Sequence, residues 1–254
     1  MSIVNTYRDS EEVLKVSDIS QKYHETFDTI IVTFQSKVLP GLLAQKLIEV
    51  VDNQVYGSSH SKHPVYRVLG QPKTLFFLMP IGAPMAVGIL EEIVYSMDVK
   101  NVVMYGTAGV LNKDIAAKKV IVPSKAYRDE GTSYHYMPAS DFVDIKNHSV
   151  VSSILKKAQV DFVEGYTWTT DAFYRETQAI FEERKKQGCI CVEMEISAVQ
   201  AFANLRGVEL YTFVYSADSL DHSGWNKRIL GNLSVDERVD YFMVAKHIAS
   251  QVTG

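Results

Sequence analysis

The sequence predicts an α/β fold, a single domain in which a mixed, mainly parallel central sheet is flanked by helices on both faces. Short runs of β-branched and apolar residues alternate along the chain with segments whose apolar residues recur at helical spacing. This alternation favours parallel strands that are joined by helices. The sequence from residue 1 to residue 254 contains no linker, internal repeat or low-complexity tract, so we expect one domain.

The first half of the chain is expected to supply four strands and two helices. The four strands are predicted at residues 28–34, 65–68, 74–79 and 101–105. Leu43, Leu47 and Val51 follow Pro40 at four-residue steps, which predicts a helix that continues through Val51. The apolar face of the second helix runs from Ala86 to Met97.

The second half continues the alternation and ends in a helix. Strands are predicted at residues 119–127, 164–169, 189–192 and 209–216, and residues 218–231 are expected to form an irregular loop. Helices are predicted at 150–158, in the charged stretch that ends at Lys186, at 196–206 and at 234–250. The last of these helices begins with a capping box, Ser234 and Glu237.

Composition and charge exclude several classes of protein. The formal net charge of -4 gives no basic footprint for a nucleic-acid partner. No apolar run approaches the roughly 20 residues of a membrane span, and the first residues lack a basic-then-apolar signal pattern. Cys189 and Cys191 stand too close together for ordinary disulfide geometry, so we interpret them as core thiols. These features favour a cytoplasmic protein.

Two carboxylates follow the predicted strand at 189–192, at its junction with the next helix. Glu193 and Glu195 flank Met194 there. A charge is costly to bury, and ligands of α/β sheets lie beyond the carboxyl ends of the strands. Glu195 could therefore accept hydrogen bonds from a vicinal diol above an apolar floor formed by Met194. The alternative is an acid that only complements the helix macrodipole. Glu193 has no assigned role.

Three other strand ends carry candidate site residues. The segment GTAG at 106–109 offers unobstructed backbone N–H groups and the Thr107 hydroxyl, which suit an anion or a sugar hydroxyl, although the segment taken alone favours a tight strand-to-helix turn. Phe173 could stack on a heterocycle or belong to the core. Asp218 follows an apolar strand and is either a general acid or the start of a turn.

The sequence gives no support for a metal or a dinucleotide cofactor. His60 and His63 have a spacing typical of metal ligands, but no carboxylate or thiolate set accompanies them. His135, between two tyrosines, is interpreted as a packed or interface residue. Neither a P-loop nor a dinucleotide fingerprint is present.

Five motifs in order resemble the nucleoside phosphorylase-I family, which includes uridine phosphorylase, hexameric purine nucleoside phosphorylase and the methylthioadenosine nucleosidases. The motifs are GTAG at 106–109, RDEGTSYHY at 128–136, TTDAFY at 169–174, VEMEISA at 192–198 and SAD at 216–218. The match runs from about Pro80 to Asp218, and VEMEISA is its most specific part. The resemblance implies cleavage of the N-glycosidic bond of a nucleoside.

The resemblance also implies roles for matched residues. Glu195 would bind the ribose 2′- and 3′-hydroxyls and stabilise an oxocarbenium-like sugar, and Met194 would pack under the ring. Thr107 would contact phosphate or ribose, and Phe173 would lie beside the base. Asp218 resembles the acid that protonates N7 of a purine, so Asp218 and Glu195 are the expected catalytic residues.

The phosphate site departs from the family pattern. The family's GDPxR loop after the first strand is replaced here by TFQSK, in which Lys37 is the only cation. An arginine two residues before the glycine of GTxG is replaced by Met104. Lys62, in a loop that donates a cation to the neighbouring subunit in the family, is the expected compensation. The phosphate-binding residues predicted here are therefore Lys37, Lys62, Gly106 and Thr107.

The leading hypothesis is a nucleoside phosphorylase that uses phosphate as co-substrate and no other cofactor, acting on a purine nucleoside as a homo-oligomer. Thr177 and Ala179 lie near the positions of the uracil-reading residues of uridine phosphorylases, which makes uridine a poor candidate; Thr177 remains a substrate-binding candidate. Two alternatives stay open: a nucleosidase in which water replaces phosphate, and a nucleoside-binding protein without turnover. The choice between dimer and hexamer also stays open.

Overall fold

The computed structural model describes residues 2–58, 61–111, 119–221, 224–226 and 232–253, without the side chains of residues 53, 217–221 and 224–226. Eleven strands in this described part form one mixed sheet. The strands are β1 Thr29–Thr33, β2 Ile48–Gly57, β3 Lys62–Val68, β4 Thr74–Leu78, β5 Asn101–Val110, β6 Val120–Asp129, β7 Phe142–Asp144, β8 Phe162–Thr170, β9 Cys189–Glu193, β10 Glu209–Asp221 and β11 Gly224–Asn226. The helices are α1 Leu39–Ala44, α2 Ala83–Met97, α3 Ser133–Tyr136, α4 His148–Lys157, α5 Gln178–Lys186, α6 Ile196–Arg206 and α7 Val235–Val252.

Strand β5 is the centre of the sheet because it pairs with three neighbours. One side of the sheet runs β5-β1-β4-β3-β2, and on the other side β5 pairs with both β10 and β9. Strands β10, β6, β8 and β9 are also paired in that order, so these four strands and β5 close into a ring. The longest ladders, β5 with β10 and β6 with β8, are parallel. The predicted α/β fold with a mixed central sheet is therefore confirmed.

Alternate residues of the strands pack against helices on opposite faces. Ile30 and Val32 of β1 join a core cluster with α2 and α6, whereas Ile31 between them joins a second cluster with α4 and α7. This two-sided burial is typical of strands in the middle of an α/β sheet. None of the helices in the described ranges is long and apolar enough to cross a lipid bilayer.

The expected helix through Val51 is wrong, because α1 ends at Ala44 and strand β2 begins at Ile48. Lys46 has a φ of 52°, which reverses the chain direction, and the β-branched residues that follow pair with β3. A four-residue step places side chains on one face of a strand as well as of a helix, so the spacing of Leu43, Leu47 and Val51 could not distinguish them.

The register of β9 brings the carboxylates toward the middle of β5. Strand β9 is antiparallel to β5, with Cys191 opposite Val110 and Val192 opposite Gly109. The residues that follow Val192 therefore run back along β5 toward Thr107. The GTAG segment is not a turn, because β5 continues through it to Val110. Strand β10 likewise continues to Asp221 and pairs with β11, where an irregular loop was expected; residues 222–223 and 227–231 lie outside the described part.

Candidate active site

A cleft lies where β9 and α6 meet β5. It is lined by both polar groups and apolar side chains. The lining includes Glu193, Glu195, Thr107, Gly106, Met104 and Phe34. The motifs GTAG and VEMEISA, which are far apart in sequence, thus form one site.

Glu193 is buried and caps the first turn of α6. Its Oε2 accepts hydrogen bonds from the backbone N–H groups of Glu195 and Ile196, both at 2.7 Å. Its Oε1 accepts from the hydroxyls of Thr169 at 2.6 Å and Thr167 at 3.2 Å. Four donors therefore satisfy a carboxylate that is only 7% exposed. This assigns Glu193 to the architecture of the strand–helix junction.

Glu195 is equally buried but has few partners. Its Oε1 accepts a hydrogen bond of 2.6 Å from the backbone N–H of Gly82, which immediately precedes α2. Gly82 has a φ of 108°, a conformation that favours glycine, and in it the N–H points at the carboxylate. A carboxylate has about four acceptor sites, so Glu195 keeps capacity for hydroxyl groups of a ligand in the cleft.

The two carboxylates are not electrostatically equivalent. Burial, followed by the charge of Glu193, raises the pKa of Glu195 to about 8, and the N–H groups of Gly82 and Met194 oppose this rise. Burial also raises the pKa of Glu193, but its four donors favour the charged form. The negative charge therefore resides on Glu193, and Glu195 is largely neutral near pH 7.

A chain of hydrogen bonds connects Thr107 with helix α7. Gln35, in the loop after β1, donates from Nε2 to the Thr107 hydroxyl at 3.1 Å. The Oε1 atom of Gln35 accepts from Nη1 of Arg238 at 2.6 Å. Arg238 is 3% exposed. The sequence analysis missed both residues, although Arg238 stands on the apolar stripe of α7 with Phe242 and Ala245, an unusual place for a cation.

The expected phosphate ligands are only partly brought together. Gly106 and Thr107 line the cleft, whereas Lys37 and Lys62 are exposed and do not line it. Lys37 lies in a single 3₁₀ turn, 36–38, and Lys62 begins β3. Met104 occupies the place of the family's arginine and is buried in the cleft wall.

The expected base and sugar contacts Phe173, Met194 and Thr177 are not among the residues that line the cleft. Phe173 is 50% exposed, and its ring lies 4.1 Å from that of Tyr174, which is 90% exposed. Met194 is half-buried between the two carboxylates, and Thr177 caps the start of α5 by accepting from the Ile180 N–H at 3.5 Å. The side chain of Asp218 lies outside the described part; its backbone pairs with Gly109 after a bulge in β10.

The tyrosine-rich loop is fixed to this site through buried polar groups. The Arg128 guanidinium stacks on Tyr134 at 4.1 Å and donates to the Ser133 hydroxyl at 2.8 Å. Glu130 accepts from the Ser197 hydroxyl of α6 at 2.8 Å, which ties the loop to the helix. His135 is exposed on this loop.

None of the described histidine and cysteine side chains lines the cleft. Within the described ranges, no group of three or more His, Cys, Asp or Glu side chains is arranged to hold a metal ion. His63 packs near Phe77, and His60 lies outside the described residues. Cys189 and Cys191 are free and buried, as predicted for core thiols.

Replacement of Glu193 should destabilise the fold more than replacement of Glu195. Glu193→Ala leaves two hydroxyls and two backbone N–H groups without their acceptor, so we expect a loss of about 3 kcal/mol in the free energy of unfolding. Glu195→Ala, matched in burial, removes only the acceptor of the Gly82 N–H and should cost about 1 kcal/mol or less. Urea unfolding measures both; equal losses would contradict the assignment of Glu193.

The pH dependence of stability should carry a contribution from Glu195. Its pKa in the folded protein, about 8, lies above the ordinary value of 4.5. The contribution of Glu195 to the free energy of unfolding is therefore fully present below pH 4.5. It is lost as the pH rises toward 8, and the free energy of unfolding falls by as much as about 1.4 kcal/mol per pH unit. Glu195→Gln should remove this slope between pH 5 and 8 in denaturant unfolding of the ligand-free protein. Parallel curves for the two proteins would contradict it.

Comparisons with known proteins place this site in a family. The sequence model of the phosphorylase superfamily matches residues 30–239. DeoD-type purine nucleoside phosphorylases of Bacillus cereus and Bacillus thuringiensis are 29% identical over 147 residues, which cover 55% of this chain and 61% of each relative. The matched segment thus spans about three-fifths of the length of these relatives.

Two solved structures share the fold. An AMP nucleosidase from Bacteroides thetaiotaomicron has a TM-score of 0.69 at 15% identity, covering 89% of both chains. A futalosine hydrolase mutant from Helicobacter pylori also has a TM-score of 0.69, at 12% identity, covering 89% of this chain and 100% of that one. Since the family model spans most of the chain, including every motif of the cleft, this protein belongs to the phosphorylase superfamily.

Proposed function

We propose that this protein cleaves the N-glycosidic bond of a nucleoside and transfers the pentosyl group to phosphate. The observation that carries the proposal is Glu195, a buried carboxylate with unused acceptor sites in the same cleft as Thr107. A carboxylate of this kind suits the adjacent 2′- and 3′-hydroxyls of a ribose, since each hydroxyl can donate to it.

Burial makes Glu195 effective in the reaction. Cleavage of the C1′–N bond leaves positive charge on the sugar ring, and an ionised carboxylate in a desolvated cleft stabilises that charge more strongly than one in water. The pKa of Glu195 is raised to about 8, so the carboxyl group ionises as the pH rises, and hydroxyls of a bound diol that donate to it favour the same charged form. Glu195 then accepts hydrogen bonds and faces the developing cation.

The proposed reaction balances without a further cofactor. A phosphate oxygen forms the bond to C1′ as the C1′–N bond breaks, and the bonding electron pair leaves with the base. A proton must reach the departing base, and we propose Asp218 as its donor, which favours a purine protonated at N7. The names of the sequence relatives, purine nucleoside phosphorylases, support the same choice of base and acceptor.

Hydrolysis is the second candidate, and the cleft wall favours it. Met104 and Phe34 present apolar surface beside Gly106, where a phosphate would benefit from positive charge. Neither Lys37 nor Lys62 lines the cleft. The two structural neighbours are named as a nucleosidase and a hydrolase. In this candidate, water replaces phosphate and the products are the free base and the pentose.

We also propose that the protein works as a homo-oligomer. Large apolar side chains are exposed: Ile81, which precedes the Gly82 that donates to Glu195, is 64% exposed, and the exposed Phe173 and Tyr174 follow β8. A second copy of the chain that covers this surface would also enclose the base.

A phosphate-dependence assay tests the proposal. The purified protein is incubated with a panel of purine and pyrimidine nucleosides, with and without inorganic phosphate, and the release of base is followed. We expect release from purine nucleosides that requires phosphate and yields pentose 1-phosphate. Equal release without phosphate would establish hydrolysis instead. Tight binding of a nucleoside without product over hours would contradict both reactions and indicate a nucleoside-binding protein.

A further inference from the structure

The hydrogen-bond chain from Arg238 to Thr107 has a fixed direction. A guanidinium group can only donate, so the oxygen of the Gln35 amide must face Arg238, as it does at 2.6 Å. The amide nitrogen of Gln35 must then face Thr107 and donate to its oxygen, at 3.1 Å. Because the Thr107 oxygen accepts this hydrogen bond, its hydroxyl proton is available to a ligand in the cleft. Gln35 thus makes Thr107 a hydrogen-bond donor toward the cleft.

Arg238 adds positive charge behind this donor. Its side chain is 3% exposed, and its Nε atom has no hydrogen-bond partner among the described residues. The guanidinium contacts the Gln35 amide and the Tyr215 phenol. Burial raises the pKa of Tyr215, so this phenol stays neutral and does not compensate the charge. A buried cation next to a polarised amide raises the electrostatic potential at Thr107.

We propose that Gln35 is a positioning residue for an oxyanion: together with Arg238 it holds the Thr107 hydroxyl as a donor toward a phosphate in the cleft. The inference deepens the proposed phosphorolysis and rests on it for the identity of the anion. It replaces the two expected cations, Lys37 and Lys62, by one buried arginine that acts through an amide and a hydroxyl.

The direction of the chain favours an oxyanion over water as its ligand. A water molecule that attacks C1′ must give up a proton, so its nearest partner should be an acceptor. The Thr107 hydroxyl, which is held as a donor, would instead occupy a lone pair of the attacking water oxygen. A phosphate oxygen carries negative charge and several lone pairs, so a donor stabilises it without removing its reactive electrons.

Two substitutions of Gln35 separate this role from a structural one. Gln35→Glu keeps the acceptor for Arg238 and adds an ion pair, so the fold should be preserved, but it removes the donor to Thr107 and places negative charge beside the anion. Gln35→Met keeps the size of the side chain and loses both hydrogen bonds. If Gln35 has only a structural role, phosphate binding should be impaired more in Gln35→Met. If Gln35 positions Thr107, phosphate binding should be impaired more in Gln35→Glu.

We expect Gln35→Glu to raise the KM for phosphate by about tenfold or more, and Gln35→Met to raise it less. The KM for the nucleoside should change by less than about threefold in both variants. Melting temperatures should follow the opposite order, with the Met variant less stable. Gln45→Glu is the matched control, because Gln45 is an exposed glutamine that also contacts α7, through Asp236 at 3.4 Å, and its phosphate KM should not change.

Calorimetric titration with inorganic phosphate keeps the inference separate from the proposed reaction. If base release proves independent of phosphate, phosphorolysis fails, but phosphate binding that is lost in Gln35→Glu and retained in Gln45→Glu still supports the oxyanion site. No phosphate binding by the unsubstituted protein would overturn the inference. A folded Gln35→Glu variant with unchanged phosphate affinity would also overturn it. The same holds if the less stable Gln35→Met variant loses more phosphate affinity than Gln35→Glu.

Discussion

The capping of α6 by Glu193 is the interaction on which the rest of the site depends. One buried carboxylate receives two backbone N–H groups from the start of α6 and two hydroxyls from β8, so it fixes the angle at which β9 passes into the helix. The Thr169 hydroxyl extends the junction by accepting the next backbone N–H, that of Ser197, at 3.1 Å. Without these donors the carboxylate could not remain charged in the core, and Glu195 would not be directed into the cleft.

The charge on Glu193 in turn shapes the behaviour of its neighbour. Two carboxylates separated by one residue are buried together, and only one of them has enough donors to hold a full negative charge. The other, Glu195, is therefore held ready to ionise when a ligand supplies donors. Thr107, another residue of the cleft lining, is oriented by Gln35 and Arg238. The cleft thus contains both a buried acceptor and an oriented donor, as the proposed binding of a sugar diol and an oxyanion requires.

Local patterns in the sequence predicted much of the fold and part of the site. Helix α6 begins and ends where its amphipathic pattern does, and the capping box of α7 is present with both hydrogen bonds. The prediction of a helix through Val51 was wrong because residues four apart lie on one face of a strand as well as of a helix. The role of Glu193 and the chain through Gln35 could not be predicted, since their partners lie on strands and helices distant in sequence. Only the long-range register of β5, β8 and β9 brings them together.

Glu195 is proposed to hold the ribose hydroxyls, and calorimetry with a nucleoside and its 2′,3′-dideoxy analogue, in the absence of phosphate, tests this role. The unsubstituted protein should bind the nucleoside more tightly than the analogue by about tenfold or more, because each hydroxyl donates to a buried carboxylate. Glu195→Ala should bind the two compounds with equal affinity. An undiminished preference for the nucleoside in a folded Glu195→Ala variant would contradict the account.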